Sequence, residues 1–219
     1  NIGGYYGTSN LTSGYFEDFR YLKGHTTYPF ERPQTALTAV SGTSLQFATA
    51  SSIPSSPNGL TLTTPNGTPV VSSFSPPDSP VNYSIYYNGS SSHRFAPATS
   101  LTFGTGDFTI EGWFWVEGAY TTYSNLWDTR PGDAGNDANA LGLVVKSDKT
   151  YIHSSGEIVG NFPSTFYEWN HMVYQRKTIG GTATHQFFRD GILVGSTTTA
   201  RNFDNHPLYL GKSEFNDYS

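Results

Sequence analysis

Asp107–Val116 reads DFTIEGWFWV, and its alternation decides the fold class. Phe108, Ile110, Gly112, Phe114 and Val116 fall on one face, and Thr109, Glu111, Trp113 and Trp115 on the other. A period of two belongs to an extended strand, whose successive side chains point to opposite sides. Further short strands are expected on either side of it, at Leu141–Lys146, Lys149–His153, Glu168–Lys177, His185–Gly195 and Leu208–Gly211. Arg189-Asp190-Gly191 supplies a tight-turn signal between apolar runs. No segment keeps helical periodicity over a dozen residues or so, and the expectation is an all-β sandwich.

Gly14–Lys23 (GYFEDFRYLK) also alternates, with Tyr15, Glu17, Phe19 and Tyr21 on one side and Phe16, Asp18, Arg20 and Leu22 on the other. The stretch that follows carries most of the prolines, among them Pro54, Pro57, Pro65, Pro69, Pro76 and Pro77. It contains strand-like pieces at Ala36–Gln46 and Leu60–Thr64, and reads as a semi-extended connector stiffened by proline. The sequence around Tyr209-Leu210-Gly211-Lys212 echoes Asn1-Ile2-Gly3-Gly4. The echo implies tandem repetition cut out of phase. Three regions are therefore expected: closing strands of a preceding repeat at 1–34, a Pro/Ser/Thr-rich connector at 35–80, and a β-sandwich at 81–219. The alternative is a permuted chain, in which the first region completes the sandwich of the third.

Composition narrows the functional classes. Charged residues make up 13% of the 219 and aromatics 16%, which excludes coiled coils, helical bundles and acidic disordered tails. The net charge of −5, with no basic run, leaves no footprint for nucleic acid or an anionic membrane. No apolar stretch reaches the ~18 residues of a membrane span, and no signal peptide is read. Cysteine is absent, so disulfides, thiolate metal sites and a Cys nucleophile are excluded.

The runs Gly106–Trp113, Glu168–Val173, Arg189-Asp190-Gly191 and Leu208–Gly211, with Gly14–Gly24 as a closing strand, resemble the laminin-G-like, concanavalin A-like jelly roll. The connector pieces Ala36–Leu45, Asn66-Gly67-Thr68-Pro69 and Ser73–Pro76 resemble linkers of tandem repeats in bacteriophage structural proteins, notably of phages infecting cyanobacteria. The resemblance implies a non-enzymatic segment of a phage fibre, spike or capsid appendage on the virion surface. Its partners would be other copies or repeats of the same protein and host surface polysaccharide. The alternative is a secreted or cell-surface lectin-like module.

A related family, the retaining β-glucanases, needs two facing carboxyl groups ~5 Å apart. Glu17 and Asp18 are adjacent, which on a regular strand separates them onto opposite faces, and Glu111 stands alone on its strand. No catalysis is expected. His171 is expected to be a buried, hydrogen-bonded core histidine. Trp113 is expected in the core, and Trp115 as a sugar-stacking ring. Tyr120, Tyr123 and Tyr167 in loops, and Trp127 at a strand end, complete the candidate glycan contacts. No cofactor is expected beyond a rim Ca²⁺, for which Asp128, Asp133 and Asp137 in the run DTRPGDAGNDAN offer hard oxygen ligands. The same residues favour turns, and their spacing is not that of an EF-hand.

Overall fold

The computed structural model describes residues 12–24, 33, 36–47, 59–65, 67–77, 79, 82–118, 124–130, 139–154 and 157–212. Fifteen strands are found there. The first four are β1 (Ser13–Lys23), β2 (Thr43–Phe47), β3 (Leu62–Thr63) and β4 (Val70–Ser72). Then come β5 (Ser84–Asn88), β6 (His93–Phe95), β7 (Phe108–Val116), β8 (Ser124–Asp128), β9 (Gly142–Val145) and β10 (Thr150–His153). The last five are β11 (Glu157–Phe162), β12 (Trp169–Ile179), β13 (Thr182–Arg189), β14 (Ile192–Thr198) and β15 (Leu208–Leu210).

These strands form two antiparallel sheets. The larger has eight strands in the order β14-β13-β12-β7-β1-β5-β4, with β2 also paired to β1. The smaller has seven, in the order β11-β10-β9-β8-β15-β6-β3. Apolar side chains of the two inner faces meet in one core, where Trp127 stacks on Tyr174, Phe162 meets Phe187 and Phe47 meets Phe95 at ring distances of 6.4, 5.0 and 5.3 Å. The all-β sandwich expected from the alternation is what the chain adopts. The turn between β13 and β14 follows its sequence signal, with positive φ at both Asp190 (49°) and Gly191 (81°).

The strands of the first region and of the connector join the two sheets. β1 lies in the middle of the large sheet, paired with β7 over Gly14–Glu17 and Arg20–Lys23 and on its other side with β5 and β2. The strand of the expected N-terminal region thus sits inside the sandwich of its own chain. The connector is also built in, since β2, β3 and β4 all add to one sheet or the other.

β1 is not a regular strand either. Its pairing with β7 slips between Glu17 and Arg20, and Asp18 takes φ = 54°. That is a β-bulge, which lets two residues on one strand oppose one on its partner. Opposite it stands Gly112, where a Cβ would meet the Phe19 Cα at 3.2 Å and the Phe114 ring at 3.3 Å. A residue without a side chain lets the bulged backbone come this close without pushing its neighbours back.

Candidate functional site

The outer face of a two-layer sandwich is normally wet, yet here its centre is dry. Residues of β1, β7 and β12 that point away from the core form three rows, set by the strand register. Tyr86, Tyr15, Trp115 and Trp169 make the first, across β5, β1, β7 and β12. Glu17, Trp113 and His171 make the second, and Arg20, Glu111 and Val173 the third. Glu17, Glu111, His171 and Val173 are each 2% exposed or less. The connector covers part of it.

The aromatic row receives Phe74. Its ring lies 4.8 Å from Tyr15, 4.7 Å from Trp115 and 5.5 Å from Trp169, edge-on to the first two. Tyr15 in turn rests on Tyr86 at 4.7 Å. Edge-to-face geometry of this kind contributes beyond the area it buries. The Phe74 carbonyl also accepts a hydrogen bond of 2.5 Å from Ser84 Oγ.

The polar rows are tied down by two further connector stretches. Ser79 Oγ donates to Glu17 Oε1, and the Leu37 amide donates to Asp18 Oδ2. Arg20 Nη1 donates to the Thr38 carbonyl at 2.7 Å, while its Nε and Nη2 donate to Glu111 Oε1 at 3.0 and 2.5 Å. The other Glu111 oxygen lies 3.4 Å from His171 Nε2. Gln46 Nε2 donates to the Leu37 carbonyl, which holds 36–40 against the sheet from the side of β2.

Burial sets the electrostatics. It pushes the Glu17 carboxyl up to about 7, against the lowering effect of the Ser79 hydroxyl. Burial likewise pushes Asp18 up to about 6, although the Leu37 amide and Arg20 favour its charged form. Burial acts on Glu111 too, but His171 and Arg20 together outweigh it and hold that carboxyl below its ordinary value. Three acids on one face are thus split into one ion-paired carboxylate and two that keep their protons to near neutrality. Among the buried polar atoms, Glu17 Oε2, Asp18 Oδ1, Trp169 Nε1 and both ring nitrogens of His171 have no hydrogen-bond partner.

Several residues are placed differently from the expectation. The bulge at Asp18 brings Glu17, Asp18 and Glu111 within one electrostatic neighbourhood instead of separating the first two. Glu111 is the sole acid of its strand, as read from the sequence, and the register sets Arg20 and Val173 beside it. His171 is buried, as expected, but its ring lacks the hydrogen bonds a satisfied core histidine makes. Trp113 is buried on the outer face, not between the sheets, with its ring 5.3 Å from that of His171.

Trp115 is half-buried beneath Phe74, and Tyr167, 64% exposed, lies beside Gly118 at the same end of the sheet. Trp127 is 2% exposed and stacks in the core, so its ring has no free face for a sugar. Tyr120 and Tyr123 lie outside the described residues, as do Asp133 and Asp137. Asp128 is fully buried, and its carboxylate is taken by Arg130. Oδ1 accepts from the Arg130 amide at 2.7 Å, and Oδ2 from the guanidinium at 2.9 and 2.5 Å. A guanidinium therefore stands where a cation ligated by Asp128 would sit. Among the described residues no group of three or more His, Asp or Glu side chains is set to hold a metal ion.

The bulge, and with it the polar cluster, is hidden from the sequence because a slip in register leaves no mark on composition. Gly112 in an otherwise bulky strand is the one signal that could have located it. Compared with models of known protein families, with curated proteins and with solved structures, the chain matches none.

Proposed function

We propose that this chain is a non-enzymatic structural module, a laminin-G-like jelly-roll unit of a phage fibre, spike or capsid appendage. The observation that carries this reading is the clamp between connector and large sheet. A connector seated by Phe74 on an aromatic row, and by Ser79, Leu37 and Thr38 on a polar row, belongs to the body of the module. Such a joint passes load and orientation from one unit to the next, which a free tether of the same length cannot do. The acids have a structural part in this arrangement. Glu111 is engaged by Arg20, and Glu17 and Asp18 are sealed beneath the connector, away from any substrate.

Adhesion to host surface glycans belongs to the rim of the aromatic row. The half-buried Trp115 and the exposed Tyr167 offer ring faces there. The exposed Tyr167 is also the observation that favours the alternative, a secreted or cell-surface lectin-like module. The two readings separate at the source. Peptides of this chain in purified particles, with an antibody against it decorating an appendage, are the expected result. Peptides confined to a secreted or cell-surface fraction would overturn the virion role.

A further inference from the structure

At the end of the sandwich away from the aromatic row, a cavity of about 490 Å³ opens between the β12–β13 turn and the segment after β14. Arg176 and Arg201 line it, with Thr178, Asn202, Gly181 and Ala200. Arg176 is 4% exposed and is held in place by its own hydrogen bonds. Nη1 donates to the Gly104 carbonyl at 3.2 Å and to the Arg201 carbonyl at 2.8 Å. Both guanidinium groups lie close enough to the buried His185 and Tyr174 to act on them electrostatically. Among the described residues neither arginine forms an ion pair, and neither the Arg176 Nη2 nor the Arg201 guanidinium makes a hydrogen bond. Asp107 is near enough to Arg176 to favour its charge, but its Oδ1 already accepts from the Thr178 amide and hydroxyl, each at 2.9 Å.

Two guanidinium groups with unused donors, in a protein of net charge −5, form a local positive site in an acidic chain. Burying such a charge without a counter-charge is unfavourable, and a planar fork of N–H donors matches the oxygens of an oxyanion. We infer that the cavity between Arg176 and Arg201 is an oxyanion-binding site, taking a sulfate or carboxylate group, with Arg201 as the accessible arm and Arg176 as the fixed one. Thr178 and Asn202 add uncharged polar groups to its wall, and Gly181 and Ala200 keep the space open. This assignment is independent of the role proposed for the clamp.

The test is titration of the full chain with inorganic sulfate at constant ionic strength, followed by thermal unfolding and calorimetry. A parallel arm uses glucuronate. Saturable binding is expected, and Arg201→Ala should weaken it roughly tenfold or more, the effect of losing a charge-assisted pair of hydrogen bonds. Arg201→Lys, which keeps the charge but loses the fork, should restore part of it. Arg176 is buried and hydrogen-bonded to the backbone, so Arg201 is the residue varied. Sulfate also stabilises proteins generally by exclusion from their surface. Equal stabilisation of the parent and Arg201→Ala would therefore overturn the site, as would the absence of saturable binding in both arms. Binding of glucuronate in competition with sulfate would place an acidic sugar in the cavity. Binding of sulfate alone would assign it to sulfate.

Discussion

Replacing Glu17 by Gln separates the two things its carboxyl does. Gln is nearly isosteric, accepts from Ser79 as the acid does, and carries no charge at any pH. In the folded protein burial raises this acid from 4.5 to about 7. Between those values the folded chain holds a proton that the unfolded chain has released, so the parent loses stability as pH rises from about 4.5 to about 7. A tenfold change in proton affinity is worth about 1.4 kcal/mol, and the rise from 4.5 to about 7 sets an upper bound of about 3.5 kcal/mol. With water reaching the opened connector, roughly 1–3 kcal/mol is the working range. Glu17→Gln should therefore match the parent near pH 4.5 and exceed it by that amount at pH 8. For a domain of this size, that is a rise in Tm of about 2–12 °C. The assay is urea unfolding at pH 4.5, 6, 7 and 8 for both proteins. Comparing the two matters because His93 and His185, each lowered to about 4 by burial, give a slope of opposite sign that both proteins share. Equal stabilities at pH 8 would refute the burial of a titrating acid beneath the connector.

Four further outcomes are expected. Phe74→Ala should cost about 1–2 kcal/mol, less than a core aromatic because the ring is 39% exposed, and should speed proteolytic cleavage within the connector. Trp127→Ala should cost about 3–5 kcal/mol in chemical unfolding, whereas Trp115→Ala should leave the fold intact and weaken retention on a glycan array. Asp128→Ala should destabilise by about 3–5 kcal/mol, equally in calcium and in chelator, because it strands the buried Arg130 charge. Gly112→Val should lower Tm by several degrees, since a branched side chain collides with Phe19 across the bulge.

The sandwich is legible because its strands advertise themselves. DFTIEGWFWV alternates without a break, and Asp190-Gly191 marks the turn that joins β13 to β14. Shorter strands such as β8 and β11 are silent, since Ser124–Asp128 and Glu157–Phe162 carry little periodicity of their own. Their strand identity comes from neighbours in the sheet. The site is less legible. Tyr15, Trp115 and Trp169 are far apart in the chain and become one row only through the registers of two strand pairs. Phe74 sits in a proline-rich stretch that reads as linker, and nothing local says that its ring will be drawn onto the sheet. Trp127 misleads because a tryptophan beside an aspartate at a strand end looks like a rim. The partner that settles its place, Tyr174, lies on the opposite sheet.

Hydrogen exchange of the full chain, read over 36–40 and 72–79, tests the clamp most directly. The Leu37 amide is bonded to Asp18 and the Ser79 amide to the Pro76 carbonyl, and both lie against a buried face. These amides should exchange far more slowly than an unstructured chain, and Phe74→Ala should release them without touching β7 or β12. Exchange at the unstructured rate in the parent protein would contradict the clamp and leave the connector a tether.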